Sequence, residues 1–195
     1  MSIRITTPLS IEIIREEHEH LSKVIEGMLY FVRSIKDGEP TPALKIFRAM
    51  LYYITEYPER VHHPKEDQYL FAQIKERTHQ LDAELDSLSE QHGKGELMAH
   101  RLQNVLLRYE FDGVDALPQL RAQVEQYAHF YYAHMRLEEE RIIPVARQIL
   151  NEADWKVIDT AFLDNRKMHN DAGRRYHYDQ LFSQIMQVKP TSLST

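Results

Sequence analysis

The sequence predicts an all-α protein, an up-down-up-down four-helix bundle with one or two additional C-terminal helices. Three observations lead there. Its 195 residues include only six Gly and eight Pro, and Leu, Ile, Glu, Arg and Gln, which tolerate helix well, are dense along the chain. Apolar residues recur at alternating three- and four-residue steps over long stretches, the period of an amphipathic helix. Almost nowhere does the sequence show the β-branched alternation of a strand.

Taken in order, the first stretch starts after Thr7-Pro8 and carries Ile11, Ile14, His18, Leu21, Ile25, Met28, Val32 and Ile35 on one stripe. Asp37-Gly38-Glu39-Pro40 ends it as a loop. Thr41-Pro42 has the form of an N-cap followed by proline at the first helical position. From there a second stripe runs through Leu44, Phe47, Leu51 and Ile54 toward His62 and Glu66. Pro58 and Pro64 each remove a backbone donor within it, so a kinked or irregular helix is expected there. The third stripe starts around Thr78 to Leu81 and reads Leu81, Leu85, Leu88, His92, Gly95, Ala99, Leu102 and Leu106, with Phe111-Asp112-Gly113 as the break. Asp115 is positioned to cap the fourth, which reads Leu120, Val124, Tyr127, Tyr131, His134, Glu138, Ile142, Val145 and Ile149. Pro144 should bend this helix by freeing the carbonyl of Glu140. Asn151 to Asp154 restarts a short helix with Trp155, Ile158 and Phe162, and a last helix holds Leu181, Phe182, Ile185 and Met186. Residues 188–195 read as a polar tail. A single domain over 1–195 is expected, with the bundle at 8–150 and a helical extension at 151–187.

Composition limits the function. A formal net charge of −6 opposes nonspecific nucleic-acid binding, which needs a basic surface. No apolar run approaches a membrane span, and the first residues lack the apolar core of a signal peptide, so a cytoplasmic location is expected. With no cysteine, disulfides, thiolate metal sites and cysteine nucleophiles are excluded. Eleven histidines are the anomaly, because neutral imidazole is the commonest metal ligand.

Four of them, His18, His62, His92 and His134, fall inside apolar stripes, one per helix. His20, His63, His79, His100 and His129 fall beside the stripes and read as solvated. Glu66 and Glu138 follow His62 and His134 by four residues, which on a helix places imidazole and carboxylate on one face. Leaving so many buried polar groups unpartnered would cost roughly 1–3 kcal/mol apiece, and a shared metal supplies the partner. His18 and His92 lie early in the first and third helices, His62 and His134 late in the second and fourth. In an antiparallel bundle that brings all four to one end. The proline at 64 leaves open which of His62 and His63 points inward.

His18, His62-His63-Pro64-Lys65-Glu66, His92 and His134-x-x-x-Glu138-Glu139 followed by Pro144 resemble the hemerythrin-like cation-binding domain, over roughly residues 8 to 150. The resemblance implies two non-haem iron ions, oxo- or hydroxo-bridged, with Glu66 and Glu138 as bridges and His18, His62, His92 and His134 as terminal ligands. Oxygen-carrying members have a fifth histidine one turn from the third-helix ligand. Here Leu88 and Glu96 occupy those positions, so a four-histidine site is expected to keep more open positions than a carrier and to oxidise in air. Glu96, Tyr127 and Tyr131 are candidates for the site's surroundings. The function implied is binding, sensing or handling of a small ligand, oxygen, nitric oxide or peroxide, or of iron itself. The alternatives are a diiron oxidoreductase consuming peroxide or nitric oxide, and an iron donor related to iron–sulfur repair. A metal-free helical interaction module would leave the buried His and Glu unexplained.

Overall fold

A computed structural model describes residues 7–36, 44–167 and 174–187, and no strand occurs among them. The proposed loop at 37–40, the Thr41-Pro42 start and the tail at 188–195 lie outside the described residues.

Helix α1 spans Leu9–Ser34. A second long helical run, α2, extends from Leu44 to Arg77 and is built from α-helical pieces joined by two π-helical turns, Pro58–His62 and Glu66–Phe71. Helix α3 is Asp82–Asp112. The fourth run, α4, is α-helical over Leu117–Leu137, passes through a π-helical turn at Glu138–Ile142 and resumes at Ile143–Ile149. Helices α5, Glu152–Lys167, and α6, Arg174–Gln187, follow.

Side-chain contacts show that α1 runs antiparallel to α4, and α2 to α3. His18 in α1 meets Glu139 late in α4, while Arg121 early in α4 donates to the carbonyls of Val32 and Ile35 at the end of α1. Asp67 meets His92 whereas Arg48 meets Glu110, which orients α2 against α3. No described helix is long and apolar enough to cross a membrane.

The kinks expected at the prolines take a defined form. A π-helical turn adds one residue to the helical circuit. His63 accordingly donates its backbone N–H to the carbonyl of Pro58, and Ile143 donates to Glu138, five residues back in each case. Pro144 then sits in the opening turn of an α-helical piece, where a missing N–H is tolerated. The expected Asp115 cap is absent: a 3-10 turn over Gly113–Ala116 leads into α4, whose start has no side-chain cap. Gly113 adopts φ 66, a left-handed conformation open to glycine. The α5 restart is as expected, with Asn151 Oδ1 accepting from the backbone N–H groups of Ala153 and Asp154.

Two apolar clusters form the core. One gathers Phe31, Phe47, Ile54, Leu102, Leu106, Leu120, Val124 and Tyr127. The other gathers Ile11, Ile14, Leu70, Phe71, Leu85, Leu88, Ile142 and Ile143, and is completed by Ile158 and Phe162 of α5. Asp159 fixes α5 in place by accepting from both the backbone N–H and the hydroxyl of Ser10. Helix α6 adds Ile185 to the first cluster and lays Phe182 on His20, ring centroids 4.1 Å apart. His20, expected to be solvated, is therefore partly covered.

Candidate metal centre

His18, His62, Glu66, His92, His134 and Glu138, carried by α1, α2, α3 and α4, are all buried. The structure adds a seventh side chain, His63, only 2% exposed. Its ring stacks on that of His92 with centroids 4.0 Å apart, in a near-parallel column running Phe71, His92, His63, Tyr131. Adjacent residues on an α-helix diverge by about 100°, but the π-helical turn ending at His62 widens the circuit so that both imidazoles face inward.

Two overlapping groups result. His18, His62, Glu66 and Glu138 offer ligand atoms within 4.8 Å of one another, and so do His63, Glu66, His92 and His134. Each carboxylate presents one oxygen to each group. Glu138 Oε2 lies 3.2 Å from His18 Nε2 and its Oε1 3.2 Å from His134 Nε2. Glu66 Oε1 lies 3.3 Å from His62 Nε2 and its Oε2 3.6 Å from His92 Nε2.

Every imidazole turns Nδ1 outward to a polar side chain: His18 to Glu139, His62 to Glu17, His63 to Glu59, His92 to Asp67 and His134 to Gln91. Such partners fix the ring and its tautomer, leaving the Nε2 lone pair directed inward. The inner atoms fit a cation. His63 Nε2, His92 Nε2, His134 Nε2 and all four oxygens of Glu66 and Glu138 are buried without a hydrogen-bond partner, and His18 Nε2 faces His62 Nε2 at 3.2 Å. Buried polar atoms left unsatisfied in such number are otherwise costly.

The charges of the cation-free site agree. Burial pushes the Glu66 carboxyl well above the ordinary range, aided by the charge of Glu138. Burial acts the same way on Glu138, but His134, His18 and His92 outweigh it and hold that carboxyl well below. Without a cation, one carboxylate of the pair keeps its proton so that like charges are not crowded together. Burial opposes charging His18 and His92, yet the carboxylates beside them, Glu138 with Glu139 and Asp67 with Glu138, raise both to about 9. His63 is pushed well below its usual value by burial and by His92.

Of the other candidates, Tyr131 and Tyr127 are buried beside the site, with rings 4.6 Å apart. Glu96 is not at the site: it is exposed and faces His100 Nε2 at 3.9 Å, because Gly95 takes the inward position on that turn. His79, His100 and His129 are exposed. Sequence periodicity missed His63 and the outer partners Glu17, Glu59, Asp67 and Gln91. Only Glu59 left a legible signal, four residues before His63.

A buried layer of imidazoles and carboxylates between two apolar clusters defines a helical cation-binding protein. The model of the hemerythrin HHE cation-binding domain matches residues 9–146, and the chain belongs to that family. Comparison with curated proteins returns no match.

Proposed function

We propose that this protein is an up-down-up-down four-helix bundle holding two non-haem iron ions and that it binds a small ligand such as oxygen or nitric oxide there. The observation that carries the reading is the split orientation of Glu66 and Glu138, each of which offers one oxygen to each imidazole group. His63, His92 and His134 would hold one ion, His18 and His62 the other, with both carboxylates shared. Imidazole and carboxylate suit iron, and the sequence has no thiolate to favour a structural zinc site. Iron bound there supplies redox chemistry and a position for a small ligand. The chain keeps bulk water out with its two apolar clusters, holds five Nε2 lone pairs inward and provides two carboxylates of opposite proton affinity.

His63 changes the expectation drawn from the sequence. A fifth imidazole comes from α2 rather than from α3, so the ligand count equals that described for the carriers. The His18 and His62 side, which has one imidazole fewer, would then be the side with room for a small ligand. The expected air oxidation rests on a four-histidine site, and the fifth imidazole removes that support.

The test is metal analysis followed by titration of the anaerobically reduced protein with oxygen, nitric oxide and peroxide in turn. About two irons per chain and a new absorption band saturating at one equivalent of oxygen or nitric oxide are expected. Fewer than two irons, or no response to either gas, overturns the reading. His63→Ala should lower the metal content by about one ion per chain, while His100→Ala and His129→Ala should leave it unchanged.

The metal should also alter how stability depends on pH. In the cation-free protein His18 and His92 have pKa values raised to about 9, above the ~6.5 of an unfolded histidine. Their contribution is full below about pH 6.5 and is lost as pH rises toward 9. Metal binding requires both rings neutral at Nε2 and releases protons. The gain in Tm on adding metal should therefore widen from pH 6.5 to 9, a trend that paired thermal melts of stripped and loaded protein will show. A gain that narrows over that window contradicts the assignment of His18 and His92 as ligands.

A further inference from the structure

His62 and His63 are sequence neighbours, yet they belong to different halves of the metal centre. Each is tied outward through a carboxylate to a tyrosine. Tyr57 donates its hydroxyl to Glu17 Oε1 at 2.6 Å, and Glu17 Oε2 accepts from His62 Nδ1 at 2.6 Å. Tyr131 donates to Glu59 Oε1 at 3.0 Å, and Glu59 Oε2 meets His63 Nδ1 at 3.2 Å. The two chains of contacts come from different elements: Glu17 is on α1, Tyr57 and Glu59 on α2, and Tyr131 on α4. His18, His92 and His134 instead meet Glu139, Asp67 and Gln91.

The backbone makes room for the second chain of contacts. A Cβ on Gly95 of α3 would lie 2.4 Å from the Tyr131 hydroxyl oxygen, so the phenol reaches Glu59 only through a notch that glycine leaves. Both carboxylates are largely buried, with side chains 6% and 11% exposed. A buried carboxylate with one oxygen satisfied by a phenol is held in one rotamer, and its other oxygen, having no proton to give, accepts a hydrogen bond from the ring N–H. That fixes the Nδ1–H tautomer of the imidazole and its direction.

We propose that the pairs Tyr57–Glu17 and Tyr131–Glu59 are positioning devices that sort the adjacent imidazoles His62 and His63 to the two separate metal positions. Tyr57 and Glu17 serve the position shared with His18; Tyr131 and Glu59 serve the position shared with His92 and His134. The inference rests on the two-ion reading above. It predicts that loss of either phenol weakens one ion and spares the other.

The probe is Co2+ added to the stripped full-length protein, followed by calorimetry and by proton NMR of the exchangeable, paramagnetically shifted ring N–H signals. The wild type should bind two Co2+ and show five such signals. Tyr57→Phe should weaken one ion about tenfold, the low end for loss of an outer-sphere partner, and at one equivalent of Co2+ keep the three signals of His63, His92 and His134. Tyr131→Phe should weaken the other ion and keep the two signals of His18 and His62. Glu17→Gln and Glu59→Gln provide a second pair, since an amide that turns its NH2 toward Nδ1 imposes the wrong tautomer. Each should remove the same signals as its tyrosine partner. Equal weakening of both ions in every variant, or wild-type behaviour in every variant, overturns the proposal. A wild type binding fewer than two Co2+ instead overturns the two-ion reading itself.

Discussion

Glu138→Ala should release the bound metal. Glu138 faces His18 and His134 at 3.2 Å and His92 at 3.9 Å, so one truncation removes an anionic donor from both halves of the site. Loss of a mere outer partner of a metal ligand costs about 10–100-fold in affinity, and loss of a shared ligand should exceed that. The measurement is metal content after dialysis, with thermal melts before and after metal addition. The variant should hold less than a tenth of the wild-type metal and show no metal-dependent rise in Tm. Retention of the full metal content would remove Glu138 from the centre. Glu66→Ala should behave alike, because Glu66 likewise gives one oxygen to each group.

The second large effect separates two glycines on one helix. A Cβ on Gly93 meets nothing within 4 Å, whereas on Gly95 it lies 2.4 Å from the Tyr131 hydroxyl oxygen and 2.9 Å from the ring carbon bearing it. Both positions are inside α3, so alanine improves helix propensity at each by about 0.5–1 kcal/mol. Gly93→Ala should realise that gain. Gly95→Ala should instead destabilise by about 1–3 kcal/mol, the usual range for overpacking, and should disturb the His63 ring that Tyr131 stacks upon. In the double variant Tyr131→Phe should restore part of the loss, since the nearest clashing atom is gone. Urea unfolding of the four proteins completes the cycle, and additive effects would show that the notch is not what Gly95 provides.

The long helices and their inward stripes were legible because a 3.6-residue period is written directly in the apolar residues. The inward histidines were legible for the same reason: His18, His92 and His134 stand where Leu or Ile would otherwise stand. His63 was not, since the period assumes an unbroken α-helix and the π-helical turn at Pro58–His62 changes the count. The two prolines signalled irregularity in α2, but a proline removes a donor without stating which way the next side chains turn. Glu96 is misplaced by the opposite error: its spacing from His92 makes it a candidate for the site's surroundings, while the inward position on that turn belongs to Gly95. The partners that hold Nδ1 of each ring lie as far as 121 residues from the histidine they serve, and no local pattern encodes such a pairing.

Each shared carboxylate, Glu66 and Glu138, is the first residue of a π-helical turn. Where each turn ends, paired neighbours, Leu70 with Phe71 and Ile142 with Ile143, are buried together. Each turn thus acts as a phase shift in the helical screw, setting the residues above and below it on different azimuths. Substitutions within these turns keep the extra residue, whereas removing a single residue closes the wide turn to the ordinary α-helical circuit. One-residue deletions between Glu66 and Phe71, or between Glu138 and Ile142, therefore take one of the two buried neighbours off the inward face while leaving the helix beyond in place. Length is thus a constraint in these turns alongside the identity of Glu66 and Glu138, because the extra residue is what lets two adjacent side chains face inward.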